Sequence, residues 1–185
     1  MKKNRIVSIL VASALLTLSV AATSFAAKGD KEVDLGVGFD TESVSGSGSG
    51  WGFSVGGGLE LLDIAVVKGS TLQVRGDIGY NRWKKDIVTL TRIPISGGAR
   101  LYVPIEGMKN LRVYGEAGLE LSIDKSEVDI PFFGKHSASE NHFGVYPAAG
   151  VEFTVTPNIF VSAALKYHIV DSGYLNAGVG VGYKF

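Results

Sequence analysis

The chain has 185 residues, enough for one domain, and 18 basic residues balance 18 acidic ones. That neutrality argues against nucleic-acid binding, which needs a basic patch. The lack of cysteine excludes a disulfide framework, a thiolate metal site and a lipid-modified cysteine.

The N-terminus reads as an export signal. Lys2, Lys3 and Arg5 form a positive start, Ile6 to Val20 is apolar, and Ser24-Phe25-Ala26 supplies small residues where a signal peptidase reads. The apolar run falls short of the roughly 20 residues a spanning helix needs. We therefore expect residues 1–26 to be a cleaved signal and 27–185 the mature domain. Three basic residues and no acid leave with the signal, so the mature chain is mildly acidic.

Period-two alternation then recurs eight times, the pattern of strands with two unlike faces. Val33 to Phe39 alternates with Glu32, Asp34 and glycines. Trp51 to Leu61 alternates with glycines, Ser54 and Glu60. Leu72, Val74, Ile78 and Tyr80 alternate with Gln73, Arg75, Asp77 and Asn81. Ile93 to Val103 alternates with Arg92, Ser96, Gly98 and Arg100. Leu111 to Leu121 alternates with Arg112, Glu116, Glu120 and Ser122. Phe143 to Val155 alternates with Gly144, Ala148, Gly150 and Glu152. Ile159 to Tyr167 alternates with Ser162, Lys166 and His168. Leu175 to Phe185 alternates with Asn176, glycines and Lys184. Segments of about ten residues suit tilted membrane strands.

The connectors suit a meander. Thr41 to Gly50 is a Gly/Ser loop, Thr156-Pro157-Asn158 a tight turn, and Lys125 to Asn141 the longest connector. Between Asp63 and Thr71 the boundary is open, because Ile64 to Val67 could extend a strand. No helical period follows the signal. The expectation is an all-β fold: an eight-stranded antiparallel up-and-down transmembrane β-barrel.

Alternation alone does not say which face is inside. A soluble lipocalin-like carrier of small apolar ligands would put the apolar face in; a membrane barrel puts it out. The polar face interleaves Glu32, Asp34, Glu60, Asp77, Glu116, Glu120 and Glu152 with Arg75, Arg92, Arg100, Arg112, Lys166 and Lys184. Opposite charges with many glycines suit a narrow, paired interior. Glu116, Glu120 and Glu152 are the candidate partners of Arg92, Arg100 and Arg112. With the N-terminus periplasmic, Phe39, Trp51, Phe53, Tyr80, Trp83, Phe143, Tyr167 and Tyr174 fall near the outer ends. Phe153, Tyr183 and Phe185 fall near the periplasmic ends. Aromatics at both interfaces are the expected girdles.

A last strand ending Tyr183-Lys184-Phe185 after an export signal resembles the C-terminal strand of bacterial outer-membrane β-barrel proteins, in particular the small OmpA/OmpX-type eight-stranded barrels of Gram-negative cells. The resemblance implies residence in the cell outer membrane, contact with its lipid and lipopolysaccharide, and a monomer. It also makes Tyr183 and Phe185 the signal read by the barrel-assembly machinery. Many OmpA relatives add a peptidoglycan-binding domain; nothing follows Phe185, so that function is not carried over.

Some such barrels are lipid A deacylases with a close His/Ser pair facing lipid. Here His168 stands four residues before Ser172 and points inward by parity, so no enzyme is expected. His136, Glu140 and His142 offer metal-ligand chemistry, but their spacing matches no metal site, so no metal and no cofactor are expected. The function expected is non-enzymatic: structural, or binding through surface loops. The alternative is a small pore or transport barrel for small or hydrophobic solutes, against which stands the little room that eight strands enclose.

Overall fold

The computed structural model describes residues 29–41, 48–64, 69–130, 134–171 and 173–185. The expected signal, residues 1–26, lies outside them. Its strands are β1 (Lys31–Asp40), β2 (Gly50–Ile64), β3 (Ser70–Lys85), β4 (Val88–Ile105), β5 (Met108–Ile130), β6 (Gly134–Thr154), β7 (Ile159–His168) and β8 (Tyr174–Lys184). Each pairs antiparallel with the next, and β1 pairs with β8 from Glu32 opposite Lys184 to Asp40 opposite Asn176. The sheet thus closes into a barrel with no edge over this height.

Closure puts alternate side chains into a narrow lumen and the others on an unshielded outer wall. Leu35, Val37, Leu119 and Val179 face out, each more than half exposed. Arg75, Arg92, Arg100, Glu116, Glu120 and Glu152 face in and are buried. An apolar exterior around a charged interior is the reverse of a soluble protein, and lipid is the medium that covers such a wall. The lipocalin-like alternative fails on this polarity. Its core would be apolar, whereas this lumen is ionic.

Large inward rings sit opposite glycines. Phe160 pairs with Gly182, Trp83 with Gly50 and Tyr114 with Gly150. A Cβ on Gly182 would collide with the Phe160 ring, and one on Gly50 with the Trp83 indole. Much of the glycine content is therefore room for aromatic rings. At the tight ends, Gly107 (φ 82°) turns β4 into β5, and Asp86 (φ 50°) turns β3 into β4. The Thr156–Asn158 turn closes with Val155 N–H donating to the Ile159 carbonyl at 2.8 Å.

The structure corrects two expectations and fills in a boundary left open. Lys125 to Asn141 is not a loop: β5 and β6 stay paired from Leu111 opposite Phe153 to Ile130 opposite Gly134. Ser, Lys, Glu and His masked the alternation there, because outside the membrane neither face need be apolar. Trp83 and Tyr174 are not girdle residues. Both point into the lumen, at 0% and 1% exposure, as their parity with Asn81 and Asn176 requires. The uncertain second connector is strand to Ile64, with a bulge between Glu60 and Leu62 that turns both Leu61 and Leu62 outward. Residues 65–67 of the apolar run lie outside the described residues.

Candidate functional site

The expected interior charges all face the lumen, where they form stacked layers with aromatic rings. At the end nearest the termini, Glu152 is the hub. It accepts hydrogen bonds from Arg112 (2.7 Å), Lys184 Nζ (2.6 Å) and the Tyr102 hydroxyl (2.9 Å). Arg112 also donates to Glu60 at 3.0 Å, and its guanidinium lies 3.8 Å from the centre of the Tyr102 ring. In the middle, Arg100 pairs with Glu116 at 2.6–2.7 Å, and Tyr146 donates to the same carboxylate at 2.9 Å. Arg75 holds Asp34 at 2.9 Å and also Asp77, while Glu32 stands 3.6 Å away. Lys166 donates to Ser96 Oγ at 3.0 Å, with its Nζ over the Tyr146 ring.

The outer layer differs from the expectation. Arg92 pairs with Asp124 at 2.7 Å rather than with Glu120. Glu120 instead binds His168 Nδ1 at 2.6 Å. His168 is buried, inward as parity placed it, and stacks on Tyr174 at 4.1 Å. Tyr174 meets Trp83 edge-on at 5.2 Å, and Arg92 lies over both rings. Asp124 escaped the sequence reading because that strand was stopped at Ser122. The interior rings Tyr102, Tyr114, Tyr146 and Phe160 escaped it too, although each has the parity of a charged neighbour. The lumen also holds a cavity of about 120 Å³, whose lining includes Asp34, Arg75, Asp77, Ser96 and Lys166.

The outer rim is the second site. β7 pairs with β6 from Phe160 opposite Thr154 up to Lys166 opposite Ala148, and one further bridge joins Ile169 to Val145. Pro147 has no N–H to continue that ladder. Above Val145, β6 continues to Gly134 with β5 alone. Both Val145 N–H and C=O bond Ile169, so residues of the same parity aim their backbone groups at the side β7 has left. Ser137, Ser139, Asn141 and Phe143 therefore present unpaired N–H and C=O groups, with no described neighbour bonded to them. The stretch from His136 to Gly144 has no lysine, proline or bulge, and Glu140, 72% exposed, is the one carboxylate that guards it. On this hairpin His142 lies 3.6 Å from Glu140 and 3.9 Å from Asp124. His136 does not join them: among the described residues no three His, Asp or Glu side chains are grouped to hold a metal.

Residues 12–185 match the sequence profile described as the outer membrane protein beta-barrel domain. The chain belongs to that family. It is thus an outer-membrane protein, and as in other bacterial barrels the end with termini and short turns is periplasmic while the tall hairpin is extracellular. No curated protein sequence matches the chain. Its fold is similar to that of Ail, the attachment invasion locus protein of Yersinia pestis, with TM-score 0.60 and 19% identity over 85% of this chain and 99% of that one. Neisserial surface protein A is similar at TM-score 0.58 and 20% identity over 84% and 97%. The outer membrane enzyme PagL shares the fold at TM-score 0.52 and 13% identity over 82% and 97%. At such identities the likeness shows a common barrel and nothing of its chemistry.

Proposed function

We propose that this family member is a non-enzymatic barrel that displays the β5–β6 hairpin for binding at the cell surface. The observation that carries the reading is the lopsided wall. Two neighbouring strands rise beyond the rest and end in a strand whose edge has no described neighbour bonded to it, a template for strand addition by an extended segment. A purely structural barrel has no need of it. One neighbour in fold bears the name of an attachment protein, which agrees with a surface role.

The ionic lumen is then a plug that stiffens the stage. Side chains cross it in at least three layers, which argues against the pore alternative. His168 is engaged by Glu120 and Tyr174 inside the barrel, away from lipid, which argues against a deacylase; Ser172 lies outside the described residues. Tyr183 and Phe185, outward and stacked edge-on at 5.2 Å, are read as the assembly signal, and the barrel as a monomer needing no cofactor.

The test replaces residues 126–138 with Asn-Gly, a two-residue hairpin turn, in the full-length chain. The unboiled protein should keep its folded mobility on a denaturing gel. Attachment of the expressing bacteria to cultured epithelial cells and to matrix-coated surfaces should fall severalfold, with the remainder carried by Ser139, Asn141 and Phe143 of the edge. Undiminished attachment, beside wild type that does attach, would overturn the reading; so would wild type that attaches no better than cells lacking the protein.

A further inference from the structure

The edge of β6 has two faces. Its even residues turn to the lumen side, where Gly144, Tyr146 and Glu152 are buried. That face continues upward as His142, Glu140, Ala138 and His136. The odd residues Phe143, Asn141, Ser139 and Ser137 turn outward, and Phe143 is exposed. A strand added to this edge takes up the same alternation, because directly opposite residues share a face.

Length and direction follow from what frames the edge. The bridge between Val145 and Ile169 is its floor. Ser137 to Phe143 is the free stretch, room for a segment of about seven residues. The neighbouring pairs are antiparallel. An added strand that keeps this order runs as β7 does, away from the membrane. Its first residue then stands above Ile169, opposite Phe143, and its fourth stands opposite Glu140.

Charge decides what enters. Glu140 lies at the middle of the free stretch, and Asp124 is directly across from it on β5. Two carboxylates opposite each other repel, and one of them has its cation: Arg92 on β4 holds Asp124 at 2.7 Å. Glu140 has His142 at 3.6 Å, and among the described residues no lysine or arginine pairs with it. The row Arg92, Asp124, Glu140 is completed by a cation on the next strand. A second copy of this chain is the wrong occupant. Pairing two such edges with Ser137 opposite Phe143 sets Glu140 against its own counterpart.

We infer that the β6 edge takes a basic extended segment, antiparallel to β6, with lysine or arginine opposite Glu140 and an apolar residue opposite Phe143. This partner class rests on the reading of the hairpin as a display edge.

Fluorescently labelled peptides of that length are titrated against the full-length protein in zwitterionic detergent, with anisotropy as the readout. One has arginine at its centre and one glutamate. A third is the arginine peptide N-methylated at its third and fifth residues, which removes the donors aimed at Asn141 and Ser139. Wild type should bind the arginine peptide about fivefold more tightly than the glutamate peptide, the scale of one cross-strand attraction gained and one repulsion avoided. Glu140→Lys should reverse that order, and Glu140→Gln should level it. Glu140 is largely exposed, so both variants should keep the folded mobility of the unboiled protein. The N-methylated peptide should not bind. Equal binding of the arginine and glutamate peptides to wild type would overturn the basic partner, as would no binding of the arginine peptide or an order that Glu140→Lys leaves unchanged. An N-methylated peptide as tight as its parent would overturn strand addition. The two readings fail separately: attachment lost with the hairpin but no preference among peptides sinks the partner class alone, whereas attachment untouched by the hairpin sinks the display.

Discussion

Glu152 and Ser139 lie on the same strand, roughly 40 Å apart along β6, and meet opposite conditions. Glu152 is fully buried, flanked by β5 and β7 and gripped by three donors from β4, β5 and β8. Ser139 is exposed, paired on one side with Lys125, and its backbone meets no described residue on the other. One strand thus serves as structural wall at its periplasmic half and as free edge at its outer half. The difference lies less in residue type than in the neighbour: where β7 ends, so does the demand for a lumen. Rigidity and availability are divided along the strand, and the division should show in how each half tolerates change.

The largest effect is expected at the hub. Glu152→Ala leaves Arg112 and Lys184 without their shared carboxylate in a narrow lumen, and breaking a buried pair this way costs about 3–5 kcal/mol. Urea unfolding in vesicles measures it. The buried pairs are not by that token a large net source of stability, since taking charges out of water offsets most of their attraction. If Glu152→Ala unfolds like wild type, the lumen is wet and loosely held, and the contrast with the hairpin collapses.

The outer wall should come next. Val179 faces lipid midway along β8, between Val37 and Ala163. Arg at this position puts a charge near the bilayer midplane, at about 2–4 kcal/mol. Arg75 and Arg100, equally charged but inward, are native. A Val179→Arg barrel as stable as wild type would mean that this face does not meet lipid.

Much of this was legible in the residues. Period two gave eight strands, and the mixed charges of Arg75, Asp77, Arg100 and Glu116 gave the inward face, because only a lumen tolerates such neighbours. Trp83 and Tyr174 were misassigned when depth was weighed ahead of parity. Being aromatic and near a strand end suits a girdle, but being in step with Asn81 and Asn176 puts them inside. The hairpin was hidden for a different reason. Lipid forces alternation, water does not, so Lys125 to Asn141 reads as a loop although β5 and β6 stay paired there up to Ile130 opposite Gly134.

The free edge can be tested with two neighbouring prolines. In β6 the odd residues aim their N–H groups away from β5, and the even ones toward it. Ala138→Pro removes a ladder bond to β5 and should cost the hairpin about 1–3 kcal/mol, the scale of a lost hydrogen bond that leaves its partner unsatisfied, read as faster amide exchange at Ser126 and Val128. Ser139→Pro removes an N–H that has no partner among the described residues, so its effect should stay within about 0.5 kcal/mol, as for other surface changes. Yet it is Ser139→Pro that takes away a donor an incoming strand would use. The two substitutions should thus divide the roles: Ala138→Pro loosens the hairpin, while Ser139→Pro leaves it folded and weakens attachment. Equal exchange in the two variants would mean that the edge is already covered, and the asymmetry along β6 would have to be given up.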